Sequence, residues 1–211
     1  MILKKIGIVV AVLAFQTCYS QSNSINDSVK FFNSIKCEMI DYLEKIPVGQ
    51  EFNFGFESRE EFKMISFGKP YTLCSFMSTK TKNQQYKFNK LSRWKVPLLV
   101  NNDYKCFLDV KKVDNKYKVV GIGLKYLAKD IETFEIKNKF CFNRKSCSLF
   151  IDYSTGIYCI AKENANNELE FYPIRPLNKC NIDKNKKYYK HEEFCTILKT
   201  KEKRKHDYIQ K

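Results

Sequence analysis

The sequence predicts an α+β fold in which helices pack on a curled antiparallel sheet. Two observations carry this prediction. Three strand-like segments joined by tight turns follow one another between residues 94 and 123, and helical apolar spacing occurs before and after strand-rich stretches. With 211 residues and 44% hydrophobic content, the chain is long enough for one domain with a substantial core, which we place at residues 21–178.

The first twenty residues have the pattern of a cleavable signal peptide. Two lysines precede an apolar run over residues 6–15, and a short polar end follows over 16–20. This apolar run is too short for a membrane-spanning helix, which needs about 20 residues. We therefore expect cleavage after Ser20 and a secreted or periplasmic location. A lipid anchor on Cys18 is the less favoured alternative.

The first predicted element of the mature chain is an amphipathic helix that Asn26 or Asp27 caps and that ends before Pro47. Cys37 projects away from its apolar stripe. The stripe follows helical spacing and consists of Val29, Phe32, Ile35, Met39, Leu43 and Ile46.

Two strands and a loop are predicted between this helix and residue 94. Phenylalanine at every second position over 51–56 predicts a strand with one aromatic face, and an apolar run over 71–77 predicts another. The polar, aperiodic stretch over 79–90 is typical of a surface loop.

An antiparallel meander is predicted next, with strands over 94–100, 104–113 and 117–122. The connecting clusters are Asn101-Asn102-Asp103 and Asp114-Asn115-Lys116. Asn and Asp adopt positive φ and bond their own backbone more readily than most residues, as tight hairpins require.

A second helix is predicted near 124–134, because apolar residues recur there at helical spacing. Further strands are expected within 148–174, where two runs flank Ser154-Thr155-Gly156 and a third ends near Pro173. The order of helix, strands, helix and strands favours two antiparallel sheets, or one curled sheet, with helices on one face. This order resembles cystatin-like and NTF2-like domains, a likeness of topology that implies no activity.

The middle strand of the meander offers one face to the helices and one to a ligand. Alternation places Tyr104, Cys106, Leu108 and Val110 under the helices. The candidate ligand-facing residues are Lys105, Phe107, Asp109 and Trp94.

Cysteine number and export together predict disulfides, since eight of the nine cysteines follow the leader. The candidate local pairs are Cys141 with Cys147 and Cys180 with Cys195. Other cysteines lie within apolar strand-like runs and are expected to be small buried hydrophobes, namely Cys74, Cys106 and Cys159. The sequence has no C-x-x-C pair and no Cys/His knuckle, so no metal and no cofactor are expected.

The chain is strongly basic. Its formal charge of +15 becomes 15 − 2 = +13 without the two leader lysines, and residues 179–211 carry 11 basic against 5 acidic side chains. We expect this segment to form a basic C-terminal extension. The charge favours an acidic polymer or lipid surface as partner, whereas export argues against nucleic acid; a solvated surface is the plainer interpretation.

Catalytic motifs are absent from the sequence, including G-x-S-x-G, the P-loop, the dinucleotide fingerprint and H-E-x-x-H. The favoured function is therefore an exported, non-enzymatic binding or accessory domain for a protein or an acidic ligand. One alternative is an enzyme whose site is assembled from scattered residues in the concave face of the sheet. The other is an envelope-associated structural protein.

Overall fold

The computed structural model describes residues 30–78, 86–138, 147–152, 156–174 and 186–199, with the side chains of 77, 78, 86 and 87 left out. It confirms the predicted α+β class: a large, mostly antiparallel sheet with a few helices, not closed into a barrel. The leader, the cap of the first helix, and residues 79–85 lie outside the described residues.

The described residues contribute nine strands to one sheet. In chain order the strands are β1 (Ser66–Phe67), β2 (Tyr71–Ser78), β3 (Tyr86–Val100), β4 (Asp103–Val113), β5 (Lys116–Gly123), β6 (Cys147–Asp152), β7 (Ile157–Glu163), β8 (Leu169–Pro173) and β9 (Tyr189–Lys190). The spatial order is β5-β4-β3-β2-β6-β7-β8-β9, with β1 paired to β3. Only the contact between β2 and β6 is parallel among these strands.

The predicted meander is confirmed as β3, β4 and β5, joined by two-residue hairpin loops. Asn101 and Asn102 have φ of 52° and 69°, and Asp114 and Asn115 have φ of 47° and 60°. Two successive positive φ values define the turn that matches the right-handed twist of flanking strands. Strand β3 begins at Tyr86, so the predicted loop over 79–90 is wrong from that residue onward.

The predicted strand over 51–56 is wrong. The chain forms a 3-10 helix over Glu51–Phe54, which Gly55 ends with φ of 92°, and a second 3-10 helix follows over Arg59–Met64. Of the three alternating phenylalanines only Phe56 is fully buried, so the segment lacks the aromatic face of a strand.

Arg59 ties this segment to the preceding helix. Its guanidinium donates to the carbonyl oxygens of Ile46 (2.7 Å) and Glu44 (3.2 Å) and to Glu51 Oε1 (3.2 Å). Arg59 thus fixes the second 3-10 helix against the end of the preceding helix, whose last carbonyl groups it satisfies.

Besides the two 3-10 helices, three α-helices are described: α1 over 30–44, α2 (Lys125–Asn138) and α3 over 191–199. Ile35, Met39 and Leu43 of α1 lie in one core cluster with the inward side chains of β3, β4 and β5. Near the start of α1 the buried residue is Phe31. The predicted stripe residue Phe32 is only partly buried, and its ring stacks on that of Phe67.

The helices lie on both faces of the sheet, so the prediction of one helix-bearing face is wrong. On β4, Leu108 belongs to the α1 cluster, while its neighbour Phe107 belongs to the cluster of α2. Successive strand residues point to opposite faces, which places α1 and α2 on opposite sides. Both faces of β4 are apolar and both require a covering layer.

The described part of the expected C-terminal extension, residues 186–199, packs on the sheet. Tyr189 of β9 and Phe194 and Leu198 of α3 are buried in a third cluster with residues of β6, β7 and β8. Phe194 stacks on Phe171, with ring centroids 4.4 Å apart. Helix α3 lies on the same face of the sheet as α1, but α1 packs on β3, β4 and β5 whereas α3 packs on β6, β7 and β8.

Burial separates the described cysteines into reactive and protected thiols. Cys37 is exposed on α1, as predicted, whereas Cys74 and Cys106 are buried in the sheet. Burial raises the pKa of Cys74 to about 12 and also raises the pKa of Cys106. Because the thiolate is the reacting form, we expect iodoacetamide at about pH 8 to label Cys37 and to spare Cys74 and Cys106 in the folded protein.

Peptide mapping by mass spectrometry measures this difference. Labelling of either buried thiol at the rate of Cys37 would contradict the packing described. The same mapping in denaturant without reductant reads the state of the pairs Cys141–Cys147 and Cys180–Cys195.

Candidate functional site

Three exposed basic side chains lie next to one another on the face of the sheet that carries α2. Arg93 of β3 is opposite Lys111 of β4, and Lys111 is opposite Lys118 of β5. All three are exposed, so α2 leaves this end of the face open to solvent. We call Arg93, Lys111 and Lys118 the basic row.

Lys95, Asp109 and Gly121 lie beside the basic row on the same face, at the next cross-strand positions of β3, β4 and β5. Lys95 is opposite Asp109, and Asp109 is opposite Gly121. Asp109 Oδ2 accepts from Arg93 Nη2 at 2.8 Å and lies 3.0 Å from Lys95 Nζ. Lys95 is only 5% exposed, and Asp109 is the counter-charge beside its nearly buried ammonium group.

The charges of this region do not balance. Asp109 is shared by two cations, while Lys111 and Lys118 take part in no ion pair within the described residues. Like charges directly opposite one another destabilise a sheet, and a bound anion relieves that repulsion. Arg93 also offers the planar fork of donors that suits carboxylate, sulfate or phosphate.

Two glycines of β5 near the basic row have open space where a side chain would lie. At Gly121 an added Cβ would come no nearer than 3.9 Å to the Cβ of Asp109, and at Gly123 it would meet nothing within 4 Å. Among the described strands, β5 is the outermost one at this end of the sheet.

The four candidate ligand-facing residues do not form one site. Asp109 lies beside the basic row, but Phe107 is buried under α2, where its ring meets that of Tyr71. Trp94 lies on the opposite face, packed against Phe31 and Tyr117. Of the four, Asp109 alone is part of the charged surface.

Lys105, the fourth candidate, forms a nearly buried ion pair. A bulge in β4 puts Leu98 opposite Cys106 and Leu99 opposite Tyr104, which leaves Lys105 as the extra residue. Its Nζ lies 2.8 Å from Glu61 Oε1 in the second 3-10 helix. Lys105 therefore holds the 3-10 segment to the sheet.

The same bulge corrects the predicted position of Tyr104. Its side chain lies on the α2 face, where its hydroxyl donates to Glu135 Oε2 at 2.8 Å and its backbone N–H donates to Glu132 Oε1 at 2.9 Å. The hydroxyl of Tyr71 also donates to Glu135. These bonds fasten α2 to the sheet and turn two of its carboxylates inward.

The potential metal ligands and the histidine of the described ranges lie apart from one another or pack in the core. No three His, Cys, Asp or Glu side chains there are grouped to hold a metal ion, and His191 packs edge-on against Phe76 and Phe171. No two cysteines of those ranges lie at disulfide distance. Cys147 lies in β6 and Cys195 in α3, while their predicted partners, Cys141 and Cys180, fall outside; both disulfides stay predictions.

Comparison with known proteins gives no relative: no family model, no curated protein and no solved structure matches the chain. In the ranges that the structure describes, no helix has the length and apolar character needed to cross a membrane. Any functional assignment therefore depends on the surface itself.

Proposed function

We propose that the chain is an exported, non-enzymatic binding domain and that the basic row binds an acidic ligand. The observation that carries this proposal is the alignment of Arg93, Lys111 and Lys118 across three adjacent strands without a carboxylate for each. The leader pattern supports export, and the formal charge of +15 supports attraction of an acidic partner.

The spacing of the basic row favours a ligand with repeated negative charges. Neighbouring strands lie about 4.8 Å apart, so three cross-strand residues span about 10 Å. A single small anion meets one or two of these side chains, whereas a chain of sulfate, carboxylate or phosphate groups meets all three. An acidic polymer is therefore the ligand class we assign.

Retention on immobilised heparin, a sulfated polymer, tests the proposal. We expect the triple variant Arg93→Gln, Lys111→Gln, Lys118→Gln to elute at markedly lower salt than the unchanged protein, because three direct contacts are lost. The matched control removes the same charge from exposed lysines of α1 and α2, and consists of Lys30→Gln, Lys36→Gln and Lys137→Gln.

The control is expected to shift elution only slightly, by its effect on net charge. Equal shifts for the two triple variants would show that net charge alone causes retention and would refute a site at the basic row. Near-ultraviolet circular dichroism of each variant verifies that the fold is retained.

A further inference from the structure

The outward side of α2 combines exposed apolar residues with lysines. It lies opposite the buried residues Leu127, Ala128 and Ile131. Tyr126 and Ile136 are 70% and 74% exposed, which is unusual for large apolar side chains on a packed helix. We call this surface the outer α2 face; it consists of Lys125, Tyr126, Lys129, Thr133, Ile136 and Lys137.

Phe52 extends the outer α2 face from the neighbouring 3-10 helix. Its ring is 72% exposed and lies 4.1 Å from Lys125 Nζ, which also lies 5.0 Å from the ring centroid of Tyr126. Lys125 Nζ donates to the carbonyl oxygen of Phe52 at 2.8 Å. One lysine thus contacts two exposed aromatic rings, which brings Phe52 and Tyr126 to the same part of the surface.

The carboxylates of α2 are turned away from this surface or occupied. Glu135 accepts from two tyrosine hydroxyls of the sheet, Glu132 accepts from the Tyr104 N–H and from Lys129, and Asp130 is half-buried. Lys129 is paired with Glu132, so the outer α2 face presents its apolar groups together with the charges of Lys125 and Lys137.

We propose that the outer α2 face and Phe52 dock the protein on an anionic lipid bilayer. Exposed aromatic and aliphatic side chains flanked by lysines suit the boundary between headgroups and acyl chains, where rings insert and ammonium groups meet phosphate. Tyr126 and Ile136 are ten residues apart, or about 15 Å along the helix, so a helix lying flat on the bilayer inserts both ends. The inference is separate from the polymer site, because it uses different residues.

Sedimentation with lipid vesicles tests the docking surface. One probe is vesicles of mixed phosphatidylglycerol and phosphatidylcholine, and the other is vesicles of phosphatidylcholine alone. The protein is the purified chain, and mass spectrometry determines its N-terminal residue. We expect binding to the anionic vesicles and a loss of about tenfold or more in the variant Phe52→Ser, Tyr126→Ser, Ile136→Ser.

The control removes three other exposed apolar side chains, and consists of Ile40→Ser, Val48→Ser and Met64→Ser. It is expected to bind anionic vesicles as the unchanged protein does. Absence of binding by the unchanged protein, or equal losses in the two triple variants, overturns the inference. Retention on heparin by the Phe52, Tyr126 and Ile136 variant keeps a failure here distinct from a failure of the polymer site.

Discussion

Replacement of Lys105 by methionine is expected to lower the free energy of unfolding by about 3–5 kcal/mol, because the change leaves a buried carboxylate without its cation. Lys105 Nζ lies 2.8 Å from Glu61 Oε1, and both side chains are nearly buried. Glu61 Oε2 also accepts the backbone N–H of Glu57 at 2.7 Å. The loss therefore loosens the 3-10 segment from β4.

The same 3-10 helix contains a matched control for this prediction. Lys63 Nζ lies 2.8 Å from Glu60 Oε2, but these side chains are 77% and 76% exposed. Exposed pairs contribute about 0–1 kcal/mol, so Lys63→Met should be nearly neutral. Urea denaturation measures both variants. Equal stability of Lys105→Met and Lys63→Met would show that burial of the Lys105–Glu61 pair does not matter.

Replacement of Gly55 by alanine is expected to cost about 2–5 kcal/mol, from backbone strain and steric overlap together. Gly55 has φ of 92°, and a Cβ added there would lie 2.4 Å from the carbonyl oxygen of Lys105. The obstacle is the backbone of β4, which moves aside less readily than the end of a flexible side chain would.

Gly49 separates the two causes. Its φ of 84° gives a similar strain, but an added Cβ meets nothing within 4 Å. Gly49→Ala is therefore expected to cost only the strain of the left-handed conformation, about 1–2 kcal/mol. Thermal unfolding of the two variants compares them directly. A cost for Gly55→Ala no larger than that for Gly49→Ala would contradict the close approach of the 3-10 segment to β4.

Local turn chemistry made the meander predictable, with its connections placed over 101–103 and 114–116. A two-residue loop makes residues at equal distances on either side of it opposite one another. The structure has such a loop at Asp114 and Asn115, one residue shorter than the predicted connection over 114–116, and this loop places Lys111 opposite Lys118.

The third residue of the basic row depends on an irregularity that no local pattern marks. The loop at Asn101 and Asn102 would place Ser92 opposite Lys111 in a regular hairpin. The bulge at Lys105 shifts the register by one residue, so that Arg93 occupies that place instead. The bulge is accompanied by the Lys105–Glu61 ion pair, a contact between residues 44 positions apart.

Two further differences between prediction and structure share a physical cause. Alternating phenylalanines over 51–56 fit a strand, but Gly55 and the Arg59 bonds to the end of α1 favour 3-10 geometry. Likewise, β4 is apolar on both faces, and spacing alone does not tell which helix covers which face. Local patterns predicted the elements, whereas long-range contacts decided their final geometry and side.

Amide hydrogen exchange with and without a heparin oligosaccharide tests the central claim, binding at the basic row, most directly. The proposal predicts slower exchange in peptides that cover residues 93–95, 109–111 and 118–121, with little change over 179–211. Protection confined to the basic segment 179–211, with the three strands unchanged, would contradict a binding site on the sheet.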